Sequence, residues 1–378
     1  MMPVGFLVSV VIDATATALA LWPRPTNGPR ATPAFVIESV ANEVPFAVFS
    51  WLVASTLLAL AQHDVDSPLG WTAVALGCVT TIGLVVVIAR ALQTRPTLDR
   101  ALADAFGSNA QRPLQPRTGL WRALLSPLPL PAIGVRRDRD IAYGPAGDFN
   151  RLDVYRRRAG TADAPTLVYF HPGGFFSGSK TRAARPVVEQ LARDGWVCIN
   201  ANYRLRGEGG FPNHLVDAKR VIAWAREHGQ EYGADPNRLV VAGGSAGGNL
   251  AAMCALTPND PRFQTGFEHV DTSVAAAVTM YAYYGSSGES DVPSAPGDYV
   301  HAEAPPFLVL HGTHDPMVPV QAAREFVDRL RAAGGRIVAY AELPGAQHNF
   351  DRLASIRCAA VTDAIEAFAG SVFVFDIR

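Results

Sequence analysis

The feature that most constrains the fold lies at residues 239–250, where an apolar run meets a glycine-rich turn and a helix-forming run follows. Ser245 stands at the apex of the turn, with Gly243 and Gly247 on either side. This G-x-S-x-G spacing is typical of the sharp strand-to-helix turn that lifts a serine hydroxyl clear of a sheet. Bulky side chains at the two glycines would clash in so tight a bend. The spacing predicts a nucleophilic serine, with an ordinary glycine-rich loop as the alternative.

A nucleophilic serine needs a histidine to take its proton and an acid to orient that histidine. In this kind of strand-turn-helix setting, the acid and then the histidine follow the serine along the chain. Asp315 follows a predicted buried strand, and His348 lies in a loop after the predicted strand at residues 337–340. Because one helix and one strand separate the two loops, both are expected at the same sheet edge as Ser245.

Two other histidines, His311 and His314, compete with His348 for the role of base. Both lie close to Asp315 in the sequence and before the last predicted strand. We therefore interpret His311 as structural and His314 as a loop residue that lines the site.

A further motif lies upstream, where a short predicted strand ends in His-Pro-Gly-Gly at residues 171–174. It is close to the H-G-G-G motif, whose glycine N–H groups bind a developing oxyanion. Pro172 has no N–H, so the donors at this position are Gly173 and Gly174. The N–H of Ala246, at the start of the predicted helix, is the third expected donor. A plain turn is the alternative interpretation.

Together these motifs make residues 137–378 resemble an α/β-hydrolase of the esterase and lipase group related to hormone-sensitive lipase. With the apolar N-terminal region, the chain resembles the membrane-associated carboxylesterases of mycobacteria and related actinobacteria. The resemblance implies a mostly parallel eight-stranded sheet flanked by helices. It also implies a nucleophile, an acid, a base and three oxyanion donors, which are Ser245, Asp315, His348, Gly173, Gly174 and Ala246. Two features depart from the family pattern: Pro172 replaces a glycine, and the segment between the sixth and seventh strands is short.

The overall composition excludes several classes of function. A formal net charge of −1 over 378 residues gives no reason to expect nucleic-acid binding. The cysteines at positions 78, 198, 254 and 358 lie in apolar runs without metal-like spacing, so we expect buried free thiols. We expect neither a metal nor an organic cofactor, because a triad and an oxyanion hole supply the chemistry.

Residues 1–92 are apolar and contain three candidate membrane spans, at 4–22, 45–61 and 69–89. The third is the strongest, since it is uncharged and about 20 residues cross a hydrocarbon layer. The first carries Asp13 near its middle, where a charge costs about 2.5–3.5 kcal/mol. A signal peptide is the alternative for the first segment, and buried helices of a soluble cap are the alternative for all three.

The charges beside these spans predict an orientation. Aspartates 64 and 66 precede the third span, whereas arginines follow the first and third spans, at positions 24, 30, 90, 95 and 100. The positive-inside rule then places the hydrolase domain on the cytoplasmic side of a multi-pass protein.

Residues 93–136 are predicted to be a connector rich in proline and arginine. Residues 98–106 within it are predicted to form an amphipathic helix. The apolar patch at 120–130 either lies on the membrane surface or packs on the hydrolase domain. From residue 137 to 378, strand and helix patterns alternate, as expected for a largely parallel sheet.

These observations predict a membrane-anchored serine carboxylesterase or lipase that acts on a small-molecule or lipid ester through an acyl-serine. An amidase or peptidase of the same fold needs the same residues, because pocket shape selects the leaving group. A non-catalytic membrane protein that retains the fold is the third possibility. The short segment at 282–305 predicts an open cleft, walled by the connector or the membrane.

Overall fold

The structure, a computed structural model, describes residues 4–23, 33–107, 133–207, 209–288, 291–335 and 337–375. The strands in this part of the chain are β1 (Val135–Ala142), β2 (Arg151–Arg157), β3 (Ala164–Phe170), β4 (Val197–Ala201), β5 (Ala234–Gly244), β6 (Ala276–Met280), β7 (Phe307–Gly312) and β8 (Val338–Leu343). The helices are α1 (Val4–Leu21), α2 (Pro33–Glu43), α3 (Pro45–Ala61), α4 (Pro68–Leu92), α5 (Thr94–Phe106), α6 (Arg185–Arg193), α7 (Asn213–His228), α8 (Ala246–Leu256), α9 (Val320–Ala332) and α10 (Ile356–Phe375).

The strands form one eight-stranded sheet in the order β1-β2-β4-β3-β5-β6-β7-β8. The pairs β1–β2 and β2–β4 are antiparallel, and all later pairs are parallel. Every residue of β4, β6 and β7 is buried, as expected for parallel strands that are covered on both faces. The expected mostly parallel sheet flanked by helices is confirmed.

Two apolar clusters cover the two faces of the sheet. One joins side chains of α5, α6 and α10 to one face of the strands. The other joins α7, α8 and α9 to the opposite face. The resulting helix–sheet–helix layering brings the carboxyl ends of β3, β5, β6, β7 and β8 to one edge, because parallel strands all point the same way.

Helix α5 changes the interpretation of residues 93–136. Leu98, Leu102 and Phe106 are buried in the same cluster as α10 and the sheet. This stretch therefore does more than connect, since it builds part of the core of the domain predicted to begin at residue 137. Strand β1 also begins earlier, at Val135. The predicted apolar patch at 120–130 lies outside the described residues.

The N-terminal region is helical. Two helices, Val4–Leu21 and the continuous stretch Pro68–Phe106, are long and apolar enough to cross a membrane. A third crossing is obtained if α2 and α3, which meet at an angle of 89°, are counted as one broken span. The second predicted span therefore corresponds to α3 alone, which is shorter than the other two helices.

The cysteine prediction is right at three positions and wrong at one. Cys198, Cys254 and Cys358 are buried free thiols, whereas Cys78 on α4 is exposed. Apolar neighbours in the sequence indicate burial only where the helix surface faces protein, and α4 presents apolar side chains outward as well, among them Val79 and Ile82.

We predict that α5 stabilises the sheet domain and can be weakened at Phe106. The ring of Phe106 is 4% exposed and meets the edge of Phe368, with ring centroids 5.8 Å apart. Phe106→Ala should lower the free energy of unfolding by about 3–5 kcal/mol, because it leaves a cavity in the core. Denaturant unfolding of the full-length chain in detergent measures this. The exposed Asp104 of the same helix provides the control, since Asp104→Ala should change the value by less than about 0.5 kcal/mol. Equal effects of the two substitutions would contradict the assignment of α5 to the core.

Candidate active site

Ser245 lies between β5 and α8 in a backbone conformation that few side chains adopt. Its φ and ψ angles are 53° and −118°. Its N–H donates to the carbonyl of Met280 at 3.0 Å, and its carbonyl accepts from the N–H groups of Asn249 and Tyr283 at 3.0 and 3.1 Å. These bonds tie the turn to β6 on one side and to α8 on the other. Ser245 is 8% exposed.

The flanking glycines are required by close approaches of backbone atoms. A Cβ at Gly243 would lie 2.2 Å from the carbonyl oxygen of Gly247. A Cβ at Gly247 would lie 2.0 Å from the carbonyl oxygen of Phe170, on the neighbouring strand β3. The turn therefore packs against the sheet at distances that only glycine permits.

Asp315 and His348 form the hydrogen bond expected of an acid and base pair. Nδ1 of His348 lies 2.7 Å from Oδ2 of Asp315, and both side chains are almost fully buried. An ionised carboxylate only accepts hydrogen bonds, so Nδ1 carries the proton and donates. Nε2 is then left with a lone pair that can take a proton. Asp315 follows β7 and His348 follows β8, which are neighbouring strands.

Several donors hold Asp315 in its ionised form. Burial by itself would raise the pKa of Asp315, but His348 and His311 lower the pKa well below its ordinary value. Oδ1 also accepts from the backbone N–H groups of Met317 and Val318 at 2.8 and 2.9 Å. His311 is buried, with Nε2 2.9 Å from the carbonyl oxygen of Val318 and 3.4 Å from Oδ2 of Asp315.

Gly173, Gly174 and Ala246, the residues expected to supply oxyanion donors, line the same cavity as Ser245. Among the hydrogen bonds of the described residues, none is donated by the N–H groups of these three. Ala246 is the first residue of α8, where N–H groups have no partner within the helix. Gly173 has a φ of 143°, and a Cβ there would lie 1.8 Å from the carbonyl oxygen of Ser177. The three N–H groups are therefore available to a ligand.

One cavity of about 1160 Å³ brings these groups together. Ser245, His348, Gly173, Gly174 and Ala246 all line it. Its wall also includes apolar and aromatic side chains from several elements, which are Phe35, Phe175, Phe176, Tyr283, Met317 and Val318. The cavity is thus large enough for an organic ester, with polar donors concentrated around Ser245.

The described structure contains no hydrogen bond between the Ser245 hydroxyl and His348. Such bonds are often long before a substrate binds, so both groups stay candidates for one reaction. His314, which was expected to line the site, is not among the residues around the cavity. It lies next to the backbone of Ala20, at the end of α1.

Four residues near the site were missed by sequence reasoning. Phe35 of α2 lines the cavity, with its ring centroid 6.4 Å from that of His348. The edge of Tyr281 meets the His348 ring at 4.6 Å. The hydroxyl groups of Tyr281 and Tyr169 both donate to the buried carboxyl group of Asp351, which also lines the cavity. Asp351 could have been found from the sequence, because it is an acidic residue only three positions after His348. No neighbouring residue in the sequence marked Phe35 as part of the site.

Comparison with known proteins gives a consistent picture. The BD-FAE family model matches residues 152–295. The chain is 35% identical to the probable carboxylic ester hydrolase LipM of Mycobacterium tuberculosis, over 98% of this chain and 94% of the relative. It is 37% identical to esterase LipQ of the same organism, over 73% of this chain and 74% of that protein.

Solved structures of an esterase are also similar to this chain. Esterase 2 of Thermogutta terrifontis in its butyrate-bound form is 25% identical, with a TM-score of 0.53, over 65% of this chain and 95% of that one. The same esterase phosphorylated by paraoxon is 28% identical, with a TM-score of 0.51, over 58% of this chain and 85% of that one.

We predict that Asp351 makes stability depend on pH. Burial raises the pKa of Asp351 above its ordinary value of 3.8, despite the two tyrosine donors. The folded state therefore holds this proton more tightly than the unfolded state, and the stabilisation is lost as pH rises from about 3.8 through the raised pKa. Asp351→Asn removes the titrating carboxyl group and with it this dependence of stability on pH.

The test is denaturant unfolding of wild type and Asp351→Asn across this range of pH. The free energy of unfolding of the variant should rise relative to that of wild type as pH increases. A difference that stays constant with pH would contradict the prediction.

Proposed function

The chain belongs to the family of carboxylic ester hydrolases with the α/β-hydrolase fold, and on this premise we propose that Ser245, His348 and Asp315 carry out the hydrolysis. The observation that carries the proposal is the 2.7 Å bond between Asp315 and His348, made at the cavity that Ser245 also lines. The phosphorylation of the Thermogutta esterase by paraoxon supports it, because an electrophilic phosphate ester labels a nucleophile.

In the first half of the proposed reaction, Oγ of Ser245 attacks the carbonyl carbon of the ester while Nε2 of His348 takes the serine proton. The carbonyl oxygen becomes an oxyanion, which accepts hydrogen bonds from the N–H groups of Gly173, Gly174 and Ala246. Asp315 stabilises the imidazolium that forms. The carbon–oxygen bond to the leaving group then breaks, and His348 returns the proton to the departing alcohol.

In the second half, water attacks the acyl-serine and gives its proton to His348. The resulting oxyanion uses the same three donors. Its collapse breaks the bond between the acyl carbon and Oγ of Ser245, His348 returns its proton to Oγ, and the carboxylic acid leaves. In this proposed cycle the chain supplies every catalytic group, and the ester and water are the only reactants. The proposed substrate is therefore defined by the cavity, whose aromatic and aliphatic wall favours an ester with an apolar acyl or alkyl part.

We also propose that the N-terminal helices anchor the enzyme in a membrane, with residues 1–92 as the anchor. Large exposed apolar side chains are concentrated there, for example Ile12, Leu57, Val79 and Ile82, which are 60–67% exposed. The described residues with the same property elsewhere are Ile133, Phe176, Tyr283 and Val374. So large an apolar surface is unfavourable in water and favourable in lipid.

We predict that the three triad residues are essential. Ser245→Ala, Asp315→Asn and His348→Ala should each lower kcat/KM for a p-nitrophenyl ester by at least about a thousandfold, since triad members act as a unit. His314→Ala is the matched control, because His314 lies beside Asp315 in the sequence but away from the cavity. It should retain most of the activity. Equal losses at His314 and none at His348 would show that the base is wrongly assigned.

We predict that the full-length protein stays with membranes after an alkaline carbonate wash, because α1 and α4 are long enough to span the hydrocarbon layer. Release by carbonate would show that these helices instead pack as a soluble cap. A reporter fused to the C-terminus tests orientation separately. By the positive-inside rule a reporter that works only in the cytoplasm should be active. Activity of an export-dependent reporter would show that the orientation is the opposite of the predicted one, and it would not contradict the anchoring.

A further inference from the structure

Helix α2 makes polar contacts with both ends of the segment that carries His348. This segment, residues 344–355, joins β8 to α10. At its start, Nδ2 of Asn42 donates to the carbonyl oxygen of Gly345 at 2.8 Å, in a buried bond. At its end, the hydroxyl of Ser355 donates to Oε2 of Glu43 at 2.6 Å. Two consecutive residues of one helix therefore contact the chain before and after the proposed base.

The contact at Glu43 is a buried ion pair. Nη1 of Arg357 donates to Oε1 of Glu43, with the two side chains 1% and 4% exposed. Ser355 also accepts from the N–H of Cys358 and so caps α10. The Glu43 carboxylate thus lies at the N-terminus of α10, where the helix dipole favours negative charge. Both contacts fix the position at which α10 begins.

A third contact lies between these two. The ring of Phe35 faces His348, with ring centroids 6.4 Å apart, and lines the cavity. On the opposite side, Val36, Ile37 and Val40 of the same helix are exposed apolar residues. Helix α2 therefore presents one face to the proposed base, and its other face is exposed and apolar.

We propose that Asn42 and Glu43 are positioning residues that hold the His348 segment in its catalytic geometry. The N-terminal helices are then part of the active site as well as its anchor. This inference rests on the proposed function, since it assigns the two residues a role through His348. The physical reason is that proton transfer between Ser245 and His348 is sensitive to displacements of about 1 Å, which can cost on the order of a hundredfold in rate. Loss of either contact leaves one end of the segment less constrained.

The experiment uses the full-length enzyme in detergent. Asn42→Ala removes the donor to Gly345, and Glu43→Gln removes the charge that faces Arg357. Ser39→Ala is the control on the same helix, because the Ser39 hydroxyl has no hydrogen-bond partner among the described residues. The concentration of working sites is counted by phosphonate labelling carried to completion, so that unfolded protein does not affect the rate per site.

A positioning role predicts that kcat per labelled site falls by roughly tenfold or more in Asn42→Ala, with KM for p-nitrophenyl butyrate little changed. The rate constant for phosphonate labelling should fall in parallel. Glu43→Gln should likewise lower kcat per labelled site with little change in KM. In the double variant, the fold-loss of kcat should be smaller than the product of the two single losses, since both residues act on one segment. Ser39→Ala should match wild type.

The outcomes separate this inference from the proposed function. If kcat per labelled site in Asn42→Ala equals that of wild type, the contacts are only structural and the inference is wrong. If Glu43→Gln fails to fold because Arg357 is left unpaired, the kcat of Asn42→Ala still tests the positioning role. A wild-type enzyme that neither hydrolyses esters nor reacts with the phosphonate would overturn the proposed function, and this inference with it.

Discussion

The backbone turn at Ser245 is the constraint on which the arrangement of the site depends. A non-glycine residue at a φ of 53° costs about 1–3 kcal/mol and persists only when its surroundings hold it. Here the N–H of Ser245 is bound to Met280 of β6, and its carbonyl is bound within α8 and to Tyr283. The position of the hydroxyl is therefore set by the register of β5 against β6. A shift in that register would move the proposed nucleophile.

The proposed acid and base depend on the same sheet edge. Asp315 is a buried carboxylate, which would be costly without partners. Two backbone N–H groups and the histidines 311 and 348 supply those partners. The loop therefore presents a fixed negative charge to Nδ1 of His348 before any substrate binds. This arrangement favours electrostatic preorganisation over movement during the reaction.

Sequence reasoning could predict the parts of the fold and the site that have local signals. Strand-forming runs, the glycines around Ser245 and the order of Asp315 and His348 were sufficient to predict the parallel sheet and the edge at which these three residues lie. Long-range packing had no such signal. Nothing near Asn42 indicates a bond to Gly345, and the packing of Phe106 on Phe368 joins distant parts of the chain. The exposed Cys78 was wrongly expected to be buried, because apolar sequence does not distinguish a buried helix face from an exposed apolar one.

Helix α2 combines two kinds of surface that have opposite solvent preferences. Burying the ion pair of Glu43 and Arg357 costs desolvation, so it is a weak argument for stability alone. Positions of α2 that separate these two charges are, however, disfavoured, since each charge would then be buried without a partner. The exposed residues Val36 and Ile37 on the other face favour lipid under the proposed anchoring. Under the proposed anchoring, α2 would place the part of the cavity wall that contains Phe35 close to the membrane, where an apolar ester could reach it.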